Sequence, residues 1–147
     1  MYVLWIFGAT VENAFSDIEI FPQTHTLGKF FYVLMYVSAI PIATIPALFK
    51  HKNNHYYNSV GASGAVSAVV FTTILLAPGM KLGILFIPFS VPSYIFGLLY
   101  LVYSYFMSKR DNDNVAHDAH FVGSVFGFLF PILLNPNLLL LFINQIF

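Results

Sequence analysis

Charged residues punctuate this chain sparsely, and the charge-free intervals between them have the length of membrane crossings. Phe30–Phe49 carries no charge, and about 20 apolar residues make one helical crossing. Asn53–Met80 comes next, with its apolar part from Tyr57 to Ala77. Leu82–Ser108 follows. Pro88 and Pro92 lie near its start, so an irregular beginning is predicted, with regular helix only from around Ser93. The last long interval opens at Ala119 and continues through Pro131 to Leu134. Asn135-Pro136-Asn137 stops it, because proline lacks a donor and restricts the residue before it. Leu138–Phe147 is too short to cross and is expected at the interface. Met1–Val11 is also charge-free, but amounts to only about 16 Å of helix, half a bilayer. It reads as the end of a longer helix or as a peripheral segment. The linkers (Glu12–Lys29, Lys50–Tyr56, Pro78–Lys81 and Lys109–Val115) are short, no internal repeat is present, and one domain is expected.

Composition identifies the solvent. Hydrophobic residues make up 59% of the chain and charged residues 8%, with a mean hydropathy of +0.79. A soluble domain has roughly a quarter of its residues charged. Six Lys+Arg and six Asp+Glu are too few to solvate a globule of 147 residues, so lipid must cover most of the surface. The formal net charge is zero and there is no basic tract, which leaves nucleic acid without an electrostatic footprint. The absence of cysteine excludes disulfides, thiolate nucleophiles and Cys-ligated metals. The N-terminus, apolar from Met1 to Gly8, lacks the basic region of a signal peptide.

Two constellations could carry chemistry. Gly61-Ala62-Ser63-Gly64 stands where the loop after Lys50 and Lys52 enters an apolar span. Glycines flanking a serine let other backbones approach its hydroxyl, and amides near a helix N-terminus are free to stabilise an oxyanion. Small residues are also common at plain membrane-helix contacts, so packing alone would explain this motif. Ala116-His117-Asp118-Ala119-His120 opens the last long span. An ionisable group inside a membrane helix is costly and is read first as functional; a histidine among headgroups is the bland alternative, and suits His117 better than His120. Gly123 and Gly127 form a G-x-x-x-G after it, which permits tight helix contact. Two crossings separate Ser63 from His120, placing both near one membrane face, each roughly five residues into its helix and about 7 Å deep. A serine and an imidazole at matched depth can form a nucleophile–base dyad. Metal binding is the rival use, because His117/His120 and His51/His55 have spacings that share a helix face. Asp118 could add an oxygen ligand, but there is no His-Glu-x-x-His pattern and three or four ligands are needed. No metal and no cofactor is expected.

Gly61-Ala62-Ser63-Gly64, together with Ala116-His117-x-x-His120-x-x-Gly123-x-x-x-Gly127, resembles the signatures of the rhomboid family of intramembrane serine proteases. Leu4-Trp5-Ile6-Phe7-Gly8 and Val11-Glu12 are similar to the end of that family's second transmembrane helix. The resemblance covers nearly the whole chain. It implies an all-α helical bundle, here a partial second helix plus four complete transmembrane helices, in a multi-pass protein of a bacterial inner (plasma) membrane. It implies Ser63 as nucleophile and His120 as base, without a third carboxylate, so that Asp118 is not a third catalytic member. Gly61, Ala62 and Gly64 would support the oxyanion, and Gly123 and Gly127 the helix contact. The substrates implied are single-pass membrane proteins, cut in their transmembrane segments and admitted past the aromatics Phe86, Phe89, Tyr94 and Phe96, which would otherwise be lipid-facing bulk.

Two departures from the family pattern stand out. A His-x-x-x-Asn that helps hold the oxyanion falls, in the family, just before the residues matching Met1–Trp5, so residues 1–147 are expected to lack the first helix and the start of the second, as in an N-terminally truncated member or fragment. Where some members carry a tyrosine that packs on the histidine, four residues after the nucleophile, this chain has Ser67. The family topology also puts Lys50, Lys52, Lys109 and Arg110 outside and only Lys29 and Lys81 inside, the reverse of the positive-inside rule. A non-catalytic rhomboid-like protein that binds transmembrane clients is the alternative function, and a small transporter or metal-handling protein using the histidines is a third.

Overall fold

The computed structural model describes residues 2–17, 25–50, 52, 62–83, 90–109 and 116–147. In chain order the elements are α1 (Tyr2–Asp17), α2 (His25–Lys50), α3 (Ala62–Leu76), β1 (Lys81–Gly83), β2 (Ser90–Pro92), α4 (Ser93–Ser108), α5 (His117–Leu134) and α6 (Asn137–Ile146). The result is an all-α membrane bundle. Its only regular extended structure among the described residues is a short ribbon in which Lys81 pairs with Pro92 and Gly83 with Ser90, antiparallel.

Helix α3 occupies the centre and touches each of the other five helices. Its sequence explains why. Ala62–Leu76 is small or apolar on every side, with no polar face to present to a surface, and such a helix belongs in the interior. Its own Ala65 and Ala68 are fully buried, as are the small Ala39 and Ala43 of α2 and Ala119 of α5. Large apolar side chains instead point outwards, among them Trp5, Phe49, Leu98, Leu99, Phe106 and Leu133. Bulk outside and small residues inside invert the plan of a water-soluble domain. That arrangement fits a bundle solvated by lipid, where helices gain by close backbone packing rather than by hiding large hydrophobes.

Several predicted boundaries hold. Regular helix begins at Ser93, directly after Pro92, and Ser93 itself anchors the start, its hydroxyl lying 2.8 Å from the Ala77 carbonyl and 2.9 Å from that of Pro78. The last long helix ends at Leu134 and α6 begins at Asn137, with the Asn135 side chain accepting a bond from the Asn137 amide at 3.1 Å.

Two expectations are corrected. The first helix does not stop at Val11 but continues to Asp17, since Glu12 meets Lys29 of α2 at 3.4 Å and its charge need not end the helix. The expected crossings also differ in length. Gly28–Lys50 and His117–Leu134 are long and apolar enough to cross a membrane, whereas Ala62–Leu76 and Ser93–Ser108 are shorter apolar helices.

One end of the bundle is tied together by Lys50. Its ammonium donates to the Ser108 carbonyl at 3.1 Å and stands 3.8 Å from the Asp118 carboxylate. The C-terminal ends of α2 and α4 therefore meet the N-terminal end of α5, at the level where α3 also begins.

Candidate active site

Ser63 is the second residue of α3 and His120 the fourth of α5. Both lie in the first turn, nearer their helix starts than the five residues anticipated. Glycine decides how closely those turns approach. A side chain at Gly123 would collide with the Gly64 carbonyl, and its Cβ would stand 2.9 Å from the Gly64 Cα. One turn further on, a side chain at Gly127 would run into the Ala68 carbonyl. Seen from α3, a Cβ on Gly64 would meet Ala43 and would lie 2.8 Å from the Ala119 carbonyl. Backbone rests on backbone, so Ser63-Gly64 faces Ala119-His120 with no side chain between the helices. One turn past Ala68, the Thr72 hydroxyl donates to the Gly127 carbonyl at 2.7 Å.

Ser63 and His120 line one cavity of about 360 Å³, shared with Val3 of α1, Ser67 of α3, and Phe96 and Tyr100 of α4. Ser63 is exposed and His120 half-buried. The buried ring of Phe71 forms part of the same wall. It also lines a second, apolar cavity of about 240 Å³ among α3, α4, α5 and α6, with Tyr94, Phe128 and Phe142. Phe71 is thus common to both linings.

Tyr100 is the residue that sequence reasoning missed. Its hydroxyl lies 3.1 Å from His120 Nδ1, and its ring stacks on the imidazole at 20° with centroids 6.5 Å apart. Ser67 Oγ is 3.4 Å from the same hydroxyl and 3.3 Å from the Ser63 carbonyl. The loss of an aromatic at position 67 is thus answered from another helix: the ring comes from α4 and the serine binds its hydroxyl. One signal was available. Phe96 and Tyr100 are four apart, so they share a helix face, and they stack with centroids 6.0 Å apart. Reading that face towards α5 required the packing.

The other anticipated residues divide. Ala62 opens α3 and is exposed, while Gly61 lies outside the described residues. First-turn amides of a helix have no intrahelical acceptor, and Ser63, in the first turn of α3, lines the cavity. His117 is buried, with its ring edge-on to Tyr103 at 5.6 Å and to His120 at 6.2 Å. Asp118 faces Lys50. His51 and His55, the other metal candidates, lie outside the described residues, as do Phe86 and Phe89. Of the remaining aromatics proposed for a gate, Phe96 lines the cavity holding Ser63 and Tyr94 lines the second one.

Comparison with protein families gives one match: the family model described as Rhomboid domain covers residues 1–137. No curated protein and no solved structure matches the chain.

Proposed function

The chain belongs to the rhomboid family, and on that premise we propose that it is an intramembrane serine endopeptidase with Ser63 as nucleophile and His120 as general base. One observation carries the reading: Ser63 and His120 line the same cavity from the first turns of two helices held in backbone contact. Ser63 Oγ attacks the scissile carbonyl as His120 Nε2 removes its proton, and the imidazolium returns that proton to the leaving amine. Water then releases the acyl group by the same route in reverse. The developing oxyanion is met by amides of the first turn of α3, where Gly64 allows close approach.

Membrane proteins are the substrate class, and a single-pass segment is the form that suits this cavity. Its walls include Val3 of α1 and Phe96 of α4, so an extended stretch arriving between those helices would bring its backbone to Ser63. The protein would be multi-pass. The alternative is a rhomboid-like protein that binds transmembrane clients without cutting them.

A fluorophosphonate probe separates the two. The detergent-purified protein is expected to label covalently, and Ser63→Ala and His120→Ala are each expected to abolish labelling while keeping the helical circular-dichroism spectrum. A folded wild-type protein that does not label overturns the protease reading.

A further inference from the structure

The hydrogen bonds behind His120 form a chain whose polarity is fixed at one end. A carbonyl can only accept, so the bond between Ser67 Oγ and the Ser63 carbonyl, 3.3 Å long, uses the one proton of the Ser67 hydroxyl. Ser67 therefore has none to offer Tyr100. Either hydroxyl could donate across the 3.4 Å separating their oxygens; with the Ser67 proton on the carbonyl, the donor is Tyr100. The tyrosine has one proton as well. With it directed at Ser67, the phenol oxygen faces His120 Nδ1 at 3.1 Å as an acceptor. Nδ1 must then carry a hydrogen, and a neutral imidazole protonated at Nδ1 has its lone pair on Nε2.

We infer that the backbone carbonyl of Ser63, acting through Ser67 and Tyr100, sets the tautomer of His120 and turns the bare Nε2 towards the cavity. Ser67 is only 8% exposed, so its hydroxyl has few partners other than these. Stacking at 20° keeps the tyrosine ring and the imidazole parallel, so the contact constrains ring orientation as well as protonation. When Nε2 takes a proton, the Nδ1–H bond to Tyr100 becomes charge-assisted and shortens without any hydroxyl having to turn. Tyr100 and Ser67 are positioning residues: neither has to touch the substrate. The serine at position 67 thus belongs to the relay, and is not merely the place where an aromatic is missing. The role of this tautomer in catalysis rests on the proposed Ser63/His120 chemistry, but its existence does not.

The test reads the tautomer directly. Protein labelled with [15N]histidine and held in detergent micelles at a pH where imidazole is neutral gives separate signals for protonated and bare ring nitrogens, with those of His120 assigned by their loss in His120→Ala. In the wild type, a protonated Nδ1 and a bare Nε2 are expected. Ser67→Ala frees the tyrosine proton to turn towards Nδ1, so the opposite tautomer should rise and the fluorophosphonate labelling rate should fall at least about tenfold, short of the ~10⁴ lost when a triad imidazole is held in the wrong tautomer. Tyr100→Phe keeps the stacked ring but breaks the relay, and should give a mixture of tautomers. Ser67→Thr keeps a hydroxyl, and should retain the wild-type tautomer and rate. A bare Nδ1 or an even mixture in the wild type overturns the inference, as does an unchanged tautomer in both Ser67→Ala and Tyr100→Phe. Because no probe is needed to see the nitrogens, a protonated Nδ1 in a protein that fails to label would refute the protease and leave the relay standing.

Discussion

The backbone of Gly64 occupies the volume in which any side chain at position 123 would have to stand. Gly123→Ala therefore has to push α5 away from α3, and does so within one turn of His120. Overpacking of this kind costs about 1–3 kcal/mol and occasionally more. Thermal unfolding in detergent should show that loss, and fluorophosphonate labelling should fall to near background. Gly127→Ala meets the Ala68 backbone one turn deeper. It should cost similar stability while sparing more of the labelling, because the first turn of α5 has room to relax.

Thr72 bridges the same pair of helices through its bond to the Gly127 carbonyl and is fully buried. Hydrogen bonds between membrane helices are worth about 0.6 kcal/mol on average and rarely beyond ~1.7. Thr72→Val keeps the shape, so a loss within that range is expected from unfolding in mixed micelles. A much larger loss would mean that the threonine is holding the backbone contact in register.

Lys50 gathers the ends of α2, α4 and α5 through the Ser108 carbonyl and Asp118. Its side chain is 36% exposed and that of Asp118 26%, so solvent and salt screen the pair. Lys50→Met should cost under about 1 kcal/mol. The difference from wild type should shrink as salt is raised from 50 mM to 500 mM, read as the shift in unfolding midpoint.

Topology can be read with single cysteines, because the chain contains none of its own. Lys109 follows α4 at the end where Ser63 and His120 lie, and Lys81 follows α3 at the other end. The family topology predicts that a membrane-impermeant maleimide labels Lys109→Cys in intact cells and Lys81→Cys only after permeabilisation. The reverse pattern would mean that Lys50, Lys52 and Lys109 obey the positive-inside rule and that the cavity faces the cytoplasm.

Much of this architecture was legible in the positions of charges and prolines. Pro92 marked where α4 becomes regular, Asn135-Pro136-Asn137 marked the break before α6, and Gly123 and Gly127 marked a close helix contact. What escaped reading depended on partners distant in sequence. Glu12 suggested a boundary, but Lys29 neutralises it and α1 runs on to Asp17. Ser67 looked like a gap beside the histidine, since no one-dimensional pattern says that α4 turns Tyr100 towards α5. Ser63 stands nearer its helix start than expected because the apolar part of its interval opens at Tyr57, whereas α3 begins at Ala62.

Phe71 lines two spaces with one ring. Seen from the bilayer, that ring is a bulkhead: a hydrocarbon tail resting against α4, α5 and α6 meets it before it meets Ser63. Shortening it to alanine would join the cavities into a passage reaching His120 from the side opposite α1. The width of a single aromatic side chain therefore decides whether the chamber around Ser63 has one wall towards lipid or a second door.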